Sequence, residues 1–248
     1  MARTVPAPAA DAVLQIEGLG LAGDPAPLSG LDLTVHEGQT AALLGEDQVL
    51  LTRIVRLIGG LERPDRGTIR LLGVDVGSAN RRELLTLRRR VGYVSVAGGL
   101  LSNMTVRANI EIAMRYHGDC EPGQVAGRAQ ALLDEGALTD LADEPASVIP
   151  AEYQKCAAYV RALASNPDVV LVEDPAAFLH PEGRATIERL HERLQRSRTT
   201  VLLADDDIAL AERLVTRAIW FQGATITYDG PFAGLPRPGA TTGRTEIP

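Results

Sequence analysis

The stretch Gly45-Glu46-Asp47-Gln48-Val49-Leu50-Leu51-Thr52 has the frame of a phosphate-binding turn without its chemistry. In the pattern G-x-x-x-x-G-K-[ST], backbone N–H groups and a helix start point at an anion while a lysine adds full positive charge. Gly45 supplies the first glycine and Thr52 the last hydroxyl, but Leu50 stands at the second glycine and Leu51 at the lysine. An ammonium–phosphate contact contributes about 1.5–3 kcal/mol; Leu51 supplies none. Glu46 and Asp47 add negative charge where a polyanion would sit. Lys155 is the only lysine in the 248 residues, so no other can stand in. Two more acidic groups follow apolar runs: Glu173-Asp174 after Val169–Val172, and Asp205-Asp206-Asp207 after Thr200–Ala204. Clustered carboxylates of this kind can hold a hard cation.

Such groups need strands that end, and helices that begin, at one edge. Ala41–Leu44 is apolar enough for a buried strand, and Ile54, Leu57, Ile58 and Leu61 predict one face of a helix over 52–61. Val13–Glu17 and Leu31–Val35 read as strands joined by a Gly/Pro loop. Glu62–Gly67 is a turn, followed by strand Thr68–Leu72, a charged helix Arg81–Arg90 and strand Val91–Val94. From 106 to about 161 the pattern is helical, broken at 118–123 and near 145–150. Val169–Val172 suits a central parallel strand, helix 183–196 carries Ile187, Leu190 and Leu194, and strand Thr200–Ala204 comes after it. Alternating strands and helices imply an α/β fold with a mostly parallel sheet. The Ala/Pro-rich residues 1–12 are expected to be a disordered tail, and 231–248 a flexible one.

Composition narrows the function classes. A chain with 45% hydrophobic residues can bury a full core. A net charge of −7 argues against a nucleic-acid binder, which usually presents a basic face. No apolar stretch reaches the ~20 residues that span a bilayer, and the start of the chain lacks an apolar signal-peptide core. Cys120 and Cys156 show no motif spacing and read as reduced thiols of a cytosolic protein.

The order of these pieces resembles the nucleotide-binding subunit of ATP-binding-cassette (ABC) transporters over roughly residues 13–230. After the turn at 45–52 come Gly60–Ile69, Gly73–Val76, Arg90–Val94 and Met104–Ile110. Then follow Gln154-Lys155, Arg161–Ala164, and Asn166-Pro167-Asp168 leading to Glu173-Asp174-Pro175. The resemblance implies a P-loop NTPase-like cassette: a RecA-like parallel-sheet core, an N-terminal antiparallel β part, and an inserted helical subdomain at about 97–160.

Carried over one position at a time, the family's working residues are mostly replaced. The glutamine that links magnesium to the permease-facing segment falls on Val96. The signature segment, normally Leu-Ser-Gly-Gly, falls on Ile149-Pro150-Ala151-Glu152, where Glu152 would repel a phosphate. The switch histidine falls on Asp206 and the dimer-facing aspartate on His180; no aromatic residue precedes Tyr93 to stack adenine. Thr52 and Glu173 stand where the metal would be bound, and Asp174 stands at the catalytic-carboxylate position. Asp174 is one methylene short there, and a misplacement of about 1 Å can lower a rate ~100-fold.

Three expectations follow from the resemblance. The first is a catalytically degenerate cassette with no catalytic residue. Gly45, Leu50, Leu51, Thr52 and Val96 would be a vestigial nucleotide site, and its partner a membrane permease or a second cassette, in a homo- or heterodimer. It would be cytoplasmic and meet the membrane only through that partner, with ATP and magnesium bound weakly or not at all. The second is an ATPase that still hydrolyses ATP through Thr52, Glu173 and Asp174. The third is a metal-responsive scaffold in which Glu46, Asp47, Glu173, Asp174 and Asp205–Asp207 converge at the C-terminal edge of the sheet, where clustered carboxylates can bind a hard cation.

Overall fold

The computed structural model describes residues 12–22, 28–117 and 120–236. The chain builds two sheets that share one layer of core between them. The smaller is antiparallel in the order β2-β1-β4-β5, formed by β1 (Ala12–Leu21), β2 (Leu28–His36), β4 (Arg66–Leu71) and β5 (Val74–Asp75). The larger has the order β10-β9-β3-β8-β7-β6: β3 (Thr40–Gly45), β6 (Val91–Val94), β7 (Val169–Glu173), β8 (Thr200–Asp205), β9 (Arg217–Gln222) and β10 (Thr225–Pro231). Its strands pair in parallel except β10, which returns antiparallel to β9.

The continuous apolar runs of β3, β7 and β8 follow from burial on both faces. Ala42, Leu44, Val170, Val172, Val201 and Leu203 point into one core cluster, and their neighbours Ala41, Leu43, Val169, Leu171, Leu202 and Ala204 into the other. The first cluster is closed by α3 (Val106–His117), α4 (Val125–Glu135), α5 (Ala151–Leu163), α6 (Pro181–Arg196) and α7 (Ile208–Leu214). The second lies between the two sheets around α1 (Gln48–Ile58). Helix α2 (Arg81–Arg88) is mostly exposed and begins with a capping box, Asn80 with Glu83.

Two differences from the sequence expectation bear most on the site and the core. Helix α1 begins at Gln48 rather than Thr52, because the Asp47 carboxylate accepts the Leu50 N–H at 3.0 Å and caps it. It ends at Ile58, where Gly60 turns left-handed (φ 63°) and the Leu61 N–H closes on Arg56 O at 2.9 Å. Leu61 is therefore outside the helix and 52% exposed, not on its buried face. The second difference is at the C-terminal side: Pro231 belongs to β10, and Phe232 and Leu235 are buried against the first cluster. The tail expected from 231 thus contributes to the core as far as Leu235, and 237–248 lie outside the described residues, as do 1–11. The short helix α7 and the hairpin β9–β10 had no counterpart in the sequence reading.

Candidate functional site

Strands β3, β7 and β8 end side by side, Leu44 opposite Asp205 and Glu173 opposite Ala204, so the acidic groups and the 45–52 turn share the C-terminal edge of the sheet. In a parallel sheet this edge is the usual place for a ligand.

At the turn two backbone amides are already paired. The Leu50 N–H goes to the Asp47 side chain, and the Leu51 N–H goes to Asp47 O at 3.1 Å as the first helical bond. Leu50 and Leu51 are buried, at 6% and 1% exposure, in the cluster between the sheets. Full burial of such a side chain contributes about 1.5–3 kcal/mol, so the place expected for a lysine is a core position here. Gly45 has its own structural reason: a Cβ there would lie 2.7 Å from Phe221 O of the neighbouring strand. The side-chain amide of Gln48 is buried with no hydrogen-bond partner. Thr52 is half-buried, one residue into the second turn of the helix.

Glu173 is the best-bonded group at the edge. Its carboxylate is 1% exposed and accepts Arg56 Nε at 2.6 Å, the Val96 N–H at 3.0 Å and the Tyr93 hydroxyl. Burial alone would raise its pKa; these three donors overcome it and hold the group below the ordinary carboxylate range. Tyr93 is pushed far up by burial and by the adjacent Glu173. Val96 enters through its backbone, so a residue expected to have lost a ligating side chain still joins this corner.

Lys155, whose position in helix α5 the sequence left without a role, proves central. Its ammonium is 1% exposed and donates to Glu173 O at 2.8 Å, Ser95 O at 3.0 Å and Val96 O at 3.5 Å. Burial lowers its pKa to about 8 against the pull of Asp174, Glu173 and Asp205. The only sequence signal was its uniqueness.

The remaining acids are held differently. Asp174 sits at φ 41°, is half-buried, and has a raised pKa from burial, which Asp206 reinforces and Lys155 opposes. Asp205 is fully buried, its Oδ1 accepts the Asp207 N–H at 3.0 Å, and its Oδ2 has no partner. Burial pushes it to about 7. Asp207 caps α7 through the Leu210 N–H and pairs with Arg184 at 2.5 Å, while Asp206 is exposed.

At the other expected segment, Ile149 is buried, Pro150 precedes the first turn of α5, and Ala151 is exposed. Glu152 lies 3.9 Å from the imidazole of His180 and packs so closely on the start of α6 that a Cβ at Gly183 would meet it at 2.9 Å.

These contacts bear on the metal expectations. Among the described residues, Glu173 makes no hydrogen bond to Thr52, and no group of three or more His, Cys, Asp or Glu side chains is arranged to hold a metal ion. Glu173, Asp174 and Asp205–Asp207 do share the C-terminal edge with the turn that carries Glu46 and Asp47, as expected, but among the described residues no three of them gather round one point. Asp47 and Asp207 are helix caps, and Glu173 is satisfied by Arg56, Tyr93 and Val96. In this arrangement Glu173 serves as a structural acceptor rather than a free metal ligand. A cavity of about 910 Å³ opens at the opposite edge of the sheet, beside Arg90, Asp168 and Arg198.

A parallel core with a strand–turn–helix at 40–58, an antiparallel second sheet and a helical insertion defines a cassette of the P-loop NTPase type. The chain belongs to the ABC transporter family, whose pattern matches residues 28–177. It is 31% identical over 212 residues to a phosphonates import ATP-binding protein of Synechococcus sp., covering 82% of this chain and 79% of that one. It is 30% identical over 208 residues to a methionine import ATP-binding protein of Paraburkholderia xenovorans, covering 83% of this chain and 53% of that one. The chain thus spans about half the length of the methionine import relative. In fold it matches a dimeric ATP-binding cassette solved with ADP and phosphate, at a TM-score of 0.80, 21% identity, and 90% and 100% coverage. No helix among the described residues is long and apolar enough to cross a membrane.

Proposed function

We propose that this chain serves a membrane transporter as a cassette-type subunit that does not turn over ATP. The observation that carries the reading is the start of α1: Asp47 has wound residues 48–51 into helix, which takes up the Leu50 and Leu51 amides that a phosphate would need. Leu51 in the core and Glu46 and Asp47 beside the turn supply no compensating cation. The partner is a permease or a second cassette, met through the helical part at about 97–160, and the chain reaches a membrane only through it. Vestigial contacts would come from Gly45, Leu50, Leu51, Thr52 and Val96 on one side and Ile149–Glu152 on the other.

The second reading, an ATPase that drives import, draws on the relatives, which are named as ATP-binding proteins of import systems. It requires Thr52 and Asp174 to act with a metal after α1 has unwound by a turn. Equilibrium titration with a fluorescent ATP analogue and Mg²⁺ separates the two. No saturable binding up to millimolar analogue is expected; micromolar affinity sinks the first reading for binding. ATP turnover that Asp174→Asn abolishes sinks it for catalysis as well.

A further inference from the structure

The chain leaves the parallel sheet at the end of β6, runs through residues 95–105 into α3, and returns through α5. Segment 95–104 is therefore the covalent arm on which the helical part is hung. It contains Gly98 and Gly99, both left-handed at φ 76° and 65°, a composition that would favour a loose hinge. Its polar groups are instead taken up by the elements it passes.

Glu173 accepts the Val96 N–H at 3.0 Å. Lys155 donates to Ser95 O and Val96 O, and the same ammonium donates to Glu173 O at 2.8 Å. One turn and a half further along α5, Arg161 donates to Gly99 O at 2.6 Å and Gly98 O at 3.1 Å. The far end is tied by buried Asn109, which accepts the Leu101 N–H at 2.7 Å and donates back to Leu101 O at 3.0 Å. Lys155 alone joins three chain segments at one atom: the outgoing arm, the returning helix, and the end of the central strand β7.

We infer that Lys155 is a positioning residue that locks the helical part onto the sheet, so that residues 95–104 do not act as a hinge in the folded protein. A charged ammonium reaches three carbonyl oxygens at once, which no apolar or neutral amide side chain of similar length can do. Burying it is unfavourable by itself, so the contact serves geometry rather than net stability. The lock goes beyond the proposed function and holds whether or not nucleotide binds. A positive ATP titration would therefore overturn that proposal and leave this one standing.

Because the chain has a single lysine, its opening can be read without ambiguity. The intact protein is treated with an amine-acylating reagent across a urea series, and the Lys155 peptide is followed apart from the N-terminal amine by mass spectrometry. The expected result is that Lys155 is modified only in proportion to global unfolding measured by circular dichroism. Rapid modification in the absence of urea, with no dependence on urea, would show that the arm opens locally and would overturn the lock. In Lys155→Met, amide hydrogen exchange at 96–104 should accelerate about tenfold or more while amides of β3 and β8 keep their protection. Unchanged protection at 96–104 in that variant would equally overturn it.

Discussion

Two regions at the same edge of the sheet treat polar groups in opposite ways. At the start of α1, the position expected to carry a lysine is a leucine in the core, while the Gln48 amide and Asp205 Oδ2 at this edge are buried without partners. At the junction of β7 with segment 95–96, nearly every polar atom is paired: Glu173 with Arg56, Tyr93 and Val96, and Lys155 with three carbonyl oxygens. The contrast teaches where the fold has kept its electrostatic order. A bound anion or metal would be expected to organise the first region, whereas the second organises itself with a cation carried on α5. The one buried ammonium at this edge is bonded to Glu173 O rather than placed at the turn.

The strongest way to break this comparison is to put the lysine back. Leu51→Lys buries an ammonium in an apolar cluster, and it is expected to destabilise the fold by about 3–5 kcal/mol. Nucleotide affinity is not expected to return, because the amides of residues 50 and 51 stay in the helix. Urea denaturation with and without an ATP analogue gives both numbers. A variant that is as stable as the parent and binds the analogue would show that the turn is pliable, and the difference between the two regions would vanish.

Much of the scaffold was legible in the sequence because its causes are local and repetitive. The apolar runs of β3, β7 and β8 could only be strands covered on both faces, and Asn166-Pro167 marks the turn before β7. The readings at 50, 51, 96, 149–152, 174 and 206 rest on residue type at positions that the resemblance supplies. What the sequence did not disclose depends on pairs far apart in the chain. That Asp47 would cap the helix early was a choice between two local structures, settled by burying Leu50 and Leu51. That Glu173 would meet Arg56 and Tyr93, and Lys155 the carbonyl of residue 173, required the packing of α5 and α1 against the same strand end. Phe232 and Leu235 were hidden by the Pro/Gly composition around them.

The second prediction sharpens the contrast through pH. Asp205 titrates near 7 in the fold and near 4 when unfolded, so between those values the native state binds the extra proton and stability falls as pH rises. Lys155 titrates near 8 in the fold and near 10.5 when unfolded, so above 8 the unfolded state binds the extra proton and stability rises again. The two groups together predict a minimum between about pH 7 and 8 in the denaturation free energy. Asp205→Asn removes a charge that is buried with one oxygen unpaired, and it should raise stability at pH 8 by roughly 1–2 kcal/mol and flatten the falling limb. A profile of the variant that falls as steeply as the parent's would show that Asp205 is not what titrates there.

The smallest expected effect tests the turn itself. Asp47→Ala deletes the carboxylate that accepts the Leu50 N–H and leaves Leu50 and Leu51 in the core, so it should lower stability by about 1 kcal/mol, or Tm by about 2–4 °C. The amide of Leu50 then has no partner from the chain, and the first turn of α1 can fray as far as Leu51. If an analogue of ATP still fails to bind this variant, the buried leucines alone exclude it and the early cap is incidental. If weak, saturable binding appears at millimolar analogue, the helix cap is what closes the site, and the apolar residues behind it are secondary. Either result assigns the loss proposed for this region to one of two physical causes, which no substitution at the Glu173–Lys155 junction could do.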